Sequence, residues 1–189
     1  MPTIRIIAGT FGGRKIEAPP ANNRRTHPMG ERIRNAIFNS VSVRVQGATV
    51  LDAFAGTGAV GLEALSRGAK EVVFVERDKL AQRILSGNLE LLRVNADTTL
   101  VKTTVNNWLE KNVGLLLFDL VFADPPYGDP QVETVERLSK VLAQGGLMVV
   151  SWPQTSELPI LPELTLLSEK TYAGAKILTY ERPELSTKS

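Results

Sequence analysis

Residues 48–68 read ATVLDAFAGTGAVGLEALSRG. The opening ATVLDAF is apolar enough for a strand buried on both faces. The following AVGLEALSRG has the length and composition of a helix, with Gly68 placed to close it. Between them Gly56, Gly58 and Gly61 satisfy G-x-G-x-x-G at a strand-to-helix junction. Glycines there let the backbone approach a ligand in front of a helix N-terminus. The next apolar run, EVVFVE (71–76), ends in Glu76, twenty residues after Gly56. A carboxylate at that point can accept hydrogen bonds from ribose hydroxyls.

The same alternation continues downstream. DKLAQRILSGNLELLR (78–93) predicts a helix with Asp78 as its N-cap. TLVKTTV (99–105) predicts a strand and VNNWLEKN (105–112) a short helix. FDLVFAD (118–124), DPQVETVERLSKVLA (129–143) and GGLMVVSW (145–152) predict strand, helix and strand. Two further strands are expected near 163–171 and 175–182, with no helix between them. Upstream, residues 4–18 read as a hairpin turning at Gly12-Gly13, and 19–28 (PPANNRRTHP) as a loop. Met29–Val43 carries apolar residues at helical spacing. The expected architecture is a doubly wound α/β domain. It has a seven-stranded, mostly parallel sheet with an antiparallel edge strand, preceded by a β-hairpin and a helix. The expected division is a basic N-terminal extension over 1–46 and a main domain over 47–185.

An adenosine-type ligand on this loop has two forms to choose between, a nicotinamide dinucleotide and S-adenosylmethionine. Asp52, four residues before Gly56, sits at the strand end beside the crevice. A dinucleotide would bring a pyrophosphate there, and like charges repel. S-adenosylmethionine has no phosphate and carries a sulfonium and an ammonium, which a carboxylate favours. The candidate cofactor residues are Asp52, Ala53, Phe54, Gly56, Thr57, Gly58 and Glu76.

The strand 118–124 runs into Asp124-Pro125-Pro126-Tyr127. Ligands of open α/β sheets sit beyond the C-terminal strand ends, so this corner shares a rim with the glycine loop. Two prolines remove two N–H donors and leave carbonyl acceptors. Asp124 adds a carboxylate and Tyr127 a flat ring. Such a corner suits a planar ring bearing an amino group. Hydrogen bonds from both N–H groups to Asp124 and the Pro125 carbonyl would localise the amine's lone pair and aim it for in-line displacement.

The charge is uneven. The net charge is +2, yet residues 1–46 hold eight Lys/Arg against two acidic residues, and the rest is net negative. A basic arm on an acidic body is the footprint of a nucleic-acid contact surface. Arg14, Lys15, Arg24, Arg25 and Arg32 are the candidate nucleic-acid contacts, with Arg32 or Arg34 alternatively facing the cofactor carboxylate. A flipped base could stack on Tyr127. There is no cysteine and one histidine, His27. This excludes a disulfide framework, thiol catalysis and a multi-histidine metal centre, and no metal is expected. His27 reads as a hydrogen-bonding loop residue, and Trp108 and Trp152 as packing residues. No apolar run is long enough for a membrane helix and no secretory signal is evident, so a cytoplasmic protein is expected, and with no coiled-coil pattern a monomer.

RIIAG (5–9), GGRK (12–15), ERIRNAIFN (31–39), the block 50–69 and DPPY (124–127) together resemble the bacterial 16S ribosomal RNA guanine-N2 methyltransferase family of the RsmD type. The resemblance spans about residues 4–182. It implies a Rossmann-like class I methyltransferase fold and S-adenosylmethionine as cofactor. The implied substrate is the N2 amine of a guanine in 16S rRNA or the assembling small ribosomal subunit. It also implies that Asp124, Pro125 and Tyr127 hold the target amine. Two positions depart from the family pattern. His27 stands where the family has arginine, and Thr104 where it often has Asp or Asn beside the adenine. Thr104 is carried as a cofactor candidate on that alignment. The rival readings are an amino-methyltransferase acting on DNA adenine N6 or a protein glutamine, a dinucleotide-dependent oxidoreductase, and a non-catalytic RNA-binding module.

Overall fold

Val50 and Leu51 are fully buried in the strand β3 (Thr49–Asp52), around which the molecule is built. A computed structural model describes residues 2–20, 29–172 and 174–185. Arg24, Arg25 and His27 therefore lie outside the described residues. The main sheet also contains β4 (Glu71–Glu76), β5 (Thr98–Lys102), β6 (Phe118–Ala123), β7 (Leu142–Pro153), β8 (Thr165–Tyr172) and β9 (Ala175–Glu181). Its spatial order is β5-β4-β3-β6-β7-β9-β8. Strands β3 to β7 are mutually parallel where they pair. β9 inserts antiparallel beside β7, and the edge strand β8 pairs antiparallel with β9. This is the seven-stranded, mostly parallel sheet that the sequence pattern predicts. After β5 the chain returns to the other side of β3, so the sheet reverses direction of growth between β3 and β6. The ends of those two strands frame a crevice.

The helices are α1 (Glu31–Ser40), α2 (Ser42–Val45), α3 (Ala59–Ser66), α4 (Lys79–Leu92), α5 (Val105–Asn112) and α6 (Val132–Leu138). Asp78 caps α4, accepting from the Leu80 and Ala81 amides. Three boundaries differ from expectation. The strand expected over 99–105 stops at Lys102, because the Thr104 hydroxyl caps α5 by accepting from the Asn107 amide at 3.2 Å. The helix expected over 129–143 is confined to Val132–Leu138. Pro130 precedes it, Gln131 has φ 49°, and Ser139–Val141 tightens into a 3₁₀ turn. The helix expected from Met29 to Val43 begins at Glu31 and breaks at Val41 into α1 and α2.

The N-terminal hairpin pairs β1 (Thr3–Arg5) with β2 (Lys15–Glu17). Its buried residues Ile6 and Ile16, with Ile37, Phe38, Val41 and Val45, join the same apolar cluster as Val50, Leu62 and Phe74. Polar bonds dock it as well. Glu17 and Asn88 of α4 exchange bonds of 2.7 and 3.1 Å, and the Thr10 and Phe11 amides donate to Ser66 at 2.7 and 2.9 Å. Gly9, at φ +82°, lies so close to Ser66 that a Cβ would stand 1.8 Å from the Ser66 carbonyl oxygen. A second cluster on the other face of the sheet holds Trp108 and Trp152, both buried as packing residues.

Candidate active site at the strand ends

One cavity of about 1040 Å³ runs along the C-terminal ends of β3, β4, β5 and β6. It brings together Asp52, Ala53, Phe54, Gly56, Thr57, Glu76, Thr104, Asp124, Pro125 and Tyr127. Gly58 stands just behind it as the N-cap of α3. Thus every predicted cofactor and target-amine residue lies on or directly behind one concavity, although those residues span 52–127 in the chain.

The glycine-loop half is built from carboxylates that hold backbone amides. Asp52 is 3% exposed and accepts the Gly61 amide at 2.9 Å. Glu76 accepts the Gly56 amide at 2.7 Å on one oxygen and the Asp78 amide at 2.6 Å on the other. Each oxygen keeps a lone pair for a further donor. Gly56 has φ +54° and nothing within 4 Å of where its Cβ would be, so the missing side chain opens the cavity there. Gly58, at φ +80°, serves packing instead, since a Cβ would stand 2.3 Å from Leu85.

The other half is the Asp124–Tyr127 corner. Val150 of β7 pairs with Ala123 of β6, which sets Ser151 beside Asp124 at the strand ends. The Tyr127 hydroxyl and Ser151 Oγ are 2.7 Å apart. The Tyr127 side chain remains partly exposed toward the cavity.

Charge sets the character of the site. Asp52, Glu76, Asp78, Asp124 and Asp129 line it, and the single cation among the lining residues is Arg77, which is exposed. Burial pushes Asp52 up to about 7, the Gly61 amide opposing this and the negative charges of Asp124 and Glu76 adding to it. Burial raises Asp124 to about 6, while its hydrogen bond with Ser151 pulls the other way. Burial also raises Tyr127 above the ordinary phenol value. A pocket with excess buried negative charge favours a cationic ligand and disfavours a pyrophosphate.

The remaining predicted residues separate from this group. Arg34 is buried and does not face the cavity carboxylates. Its guanidinium donates to the Arg5 and Met29 carbonyls at 2.5 and 3.2 Å and lies 3.7 Å from Glu63. Arg14 is exposed, donates to the Leu91 carbonyl at 3.1 Å and lies over the Phe11 ring. Lys15 and Arg32 are exposed. The reading of the sequence missed Ser151, whose signal was a polar residue closing the apolar run LMVVS. It also missed Met29, Gly30 and Ile33, which reach the cavity from the N-terminal region.

A model of the family described as conserved hypothetical protein 95 matches residues 4–181. The chain belongs to this family. Its relatives include the ribosomal RNA small subunit methyltransferase D of Haemophilus influenzae, 34% identical over 89% of this chain and 88% of that protein. The Escherichia coli protein of the same name is 32% identical over 90% of this chain and 85% of that one. Among solved structures, an Escherichia coli family protein described as a candidate methyltransferase, yhhF, superposes with a TM-score of 0.86 at 30% identity. That superposition covers 97% of this chain and all of the other. The Rossmann-like class I methyltransferase fold and the family resemblance read from the motifs are thereby borne out.

Proposed function

We propose that this protein transfers a methyl group from S-adenosylmethionine to the exocyclic N2 amine of a specific guanine in 16S rRNA. Its substrate would be the free rRNA or the assembling small subunit. The observation that carries the proposal is the single cavity in which the glycine loop, three buried or half-buried carboxylates and the Asp124–Tyr127 corner meet with no buried cation among its lining residues. The names of the relatives point to the same class of substrate.

The residues present fit the cofactor. The free lone pairs of Glu76 suit a ribose diol. The bare Gly56 backbone leaves room for the nucleoside, and Asp52 offers its remaining oxygen to an ammonium. Thr103 and Thr104 line the end of the cavity where an adenine would sit. When bound, S-adenosylmethionine supplies an electrophilic methyl on a cationic sulfur. The chain's own contribution is to position the acceptor. Asp124 and the Pro125 carbonyl accept the two N–H bonds of the amine, and Tyr127 offers its ring to the extruded base. As the N–C bond formed, the methyl–sulfur bond would break and its electron pair return to sulfur, giving neutral S-adenosylhomocysteine; the methylated amine would be positively charged and strongly acidic, and Asp124 would take its proton.

The extension over 1–46 supplies the RNA grip on this reading, joined to the methyltransferase domain over 47–185. Arg5 and Lys15 lie opposite each other across the hairpin. They line a groove that shares Met29 and Gly30 with the cavity. Phosphate contacts there, with those of Arg14 and Arg32, would position the RNA without reading its sequence. No helix of the described residues is long and apolar enough to cross a membrane, and a cytoplasmic location is the one that goes with the proposed substrate. The test is transfer of labelled methyl to small subunits from cells lacking the protein, compared with free rRNA, DNA and a glutamine-bearing protein acceptor. N2-methylguanosine in rRNA is the expected product. Label confined to DNA or protein would overturn the substrate, and absence of cofactor binding would overturn the chemistry.

A further inference from the structure

Ser151 is buried, with 3% of its surface exposed, at the cavity end of β7. The register that pairs Val150 with Ala123 fixes it beside Asp124. On its other side β9 pairs Ile177 opposite it, so no polar neighbour competes from that strand. Its hydroxyl lies 2.7 Å from the Tyr127 hydroxyl. One small hydroxyl thus bonds Tyr127 and stands beside Asp124 at the strand end.

We propose that Ser151 is a positioning residue that holds Asp124 and Tyr127 as one unit, donating to the Asp124 carboxylate while accepting from the Tyr127 hydroxyl. The inference rests on the reading of Asp124 and Tyr127 as the groups that receive the target amine and its base.

The direction follows from donor arithmetic. An ionised carboxylate only accepts, so the single Ser151 proton points to Asp124. The Ser151 oxygen is then an acceptor, and the Tyr127 proton points to it. Tyr127 is thereby turned with its hydroxyl inward and its ring along the cavity wall. One Asp124 oxygen is occupied by Ser151, which leaves the other aimed at the substrate amine. When Asp124 takes up a proton the order reverses: the carboxylic O–H donates to Ser151, and Ser151 to Tyr127. The state that accepts an amine N–H and the state that has received a proton are both fully hydrogen-bonded, and no atom need move far between them.

The charged and titratable groups around Asp124 are Asp52 from β3, Tyr127 from its own loop and, beyond Asp52, Glu76 from β4. On β9, Lys176 lies opposite Trp152 and is paired with Glu169 at 2.9 Å. With only negative or neutral groups facing the carboxyl, the neighbouring Ser151 hydroxyl is the side-chain group that favours its ionised form. Removing that donor must make ionisation harder.

The experiment follows the Asp124 carboxyl by ¹³C NMR in protein labelled at aspartate, the signal assigned by its loss in Asp124→Asn. The pH profile of kcat is measured alongside. In Ser151→Ala the titration midpoint should move up from about 6, the acid limb of kcat should move with it, and kcat should fall about tenfold with a smaller change in KM. Ser151→Thr, which keeps the hydroxyl, should return both midpoints toward wild type. Ser151→Cys, close in size and a weaker donor, should move them in the same direction as alanine and stands in if Ser151→Ala does not fold. Tyr127→Phe should raise KM for RNA while leaving the Asp124 midpoint near its wild-type position. An unmoved midpoint in Ser151→Ala, or a shift that threonine does not reverse, overturns the proposal. If the wild-type protein transfers no methyl at all, the functional reading fails. The carboxyl titration then still decides whether Ser151 controls Asp124.

Discussion

Two acidic sites lie on either side of α3, and they are built on opposite terms. Glu63, 0% exposed, faces the N-terminal hairpin. It accepts the Ile7 and Ala8 amides at 2.8 and 3.1 Å and the Arg67 guanidinium at 2.8 Å, with Arg34 3.7 Å away. Burial lowers the Arg34 guanidinium and Glu63 holds it up. Asp52, almost as buried, faces the cavity in the company of Glu76 and Asp124. It has an amide but no cation. The first site is neutralised and its acceptors are spent, which marks it as architecture. The second keeps surplus negative charge and open lone pairs, which marks it as a place for a cationic ligand. Burial of an acid alone does not distinguish structure from function; what compensates it does.

The comparison can be broken from the cavity side first. Asp124→Ala should reduce methyl transfer by about 10²–10⁴-fold while leaving S-adenosylmethionine binding within a few-fold, as read by transfer assay and calorimetry. Comparable loss of both would place Asp124 with the cofactor rather than the acceptor. From the other side, Glu63→Gln strands a buried arginine. Global stability in a denaturant titration should fall by about 3 kcal/mol, with cofactor affinity in the folded fraction little changed. Asp52→Asn should do the reverse, costing about tenfold or more in cofactor affinity and almost nothing in stability near pH 4.

The pH dependence sharpens the contrast. Asp52 and Asp124 are raised above their ordinary 3.8, to about 7 and about 6. The unfolded chain therefore ionises first as pH rises, and these groups take stability away between about pH 4 and pH 7. Cation binding favours the ionised form, so cofactor affinity should tighten as pH rises to about 7, with proton uptake by buffer measurable in calorimetry. Asp52→Asn should flatten that slope and leave the ligand-free protein more stable than wild type at pH 8. An unchanged slope would show that Asp52 does not titrate with the ligand. The smallest effect belongs to the exposed Arg5–Glu31 pair at 2.8 Å. Arg5→Ala should cost under about 1 kcal/mol of stability, although on the proposed reading it weakens RNA binding and lessens its salt dependence.

Most of the sheet was legible because its central strands β3, β4, β6 and β7 are largely buried on both faces and its helices carry their own punctuation. Asp78 caps α4 as the sequence predicts, and VNNWLEKN forms α5 at the expected residues. Helix α6 is shorter than its sequence suggests, ending at Leu138 in the 3₁₀ turn Ser139–Val141. There β7 begins early at Leu142, pairing with Phe118 before the Gly145-Gly146 irregularity. The charge reading of the N-terminal arm was also incomplete. Arg34 looks like any other arginine of a basic stretch, yet the fold buries it against Glu63.

The glycine loop, its linked carboxylate and the Asp-Pro-Pro-Tyr corner were determined by sequence alone. Each is a short segment whose backbone and chemistry are set by neighbouring residues. Which half of the site Ser151 serves, that Arg34 is structural, and that Met29 and Gly30 reach the cavity were decided only by the tertiary structure. Those relations depend on strand register and on how the hairpin docks across α3 and α4. They join residues tens of positions apart, and no local spacing records them.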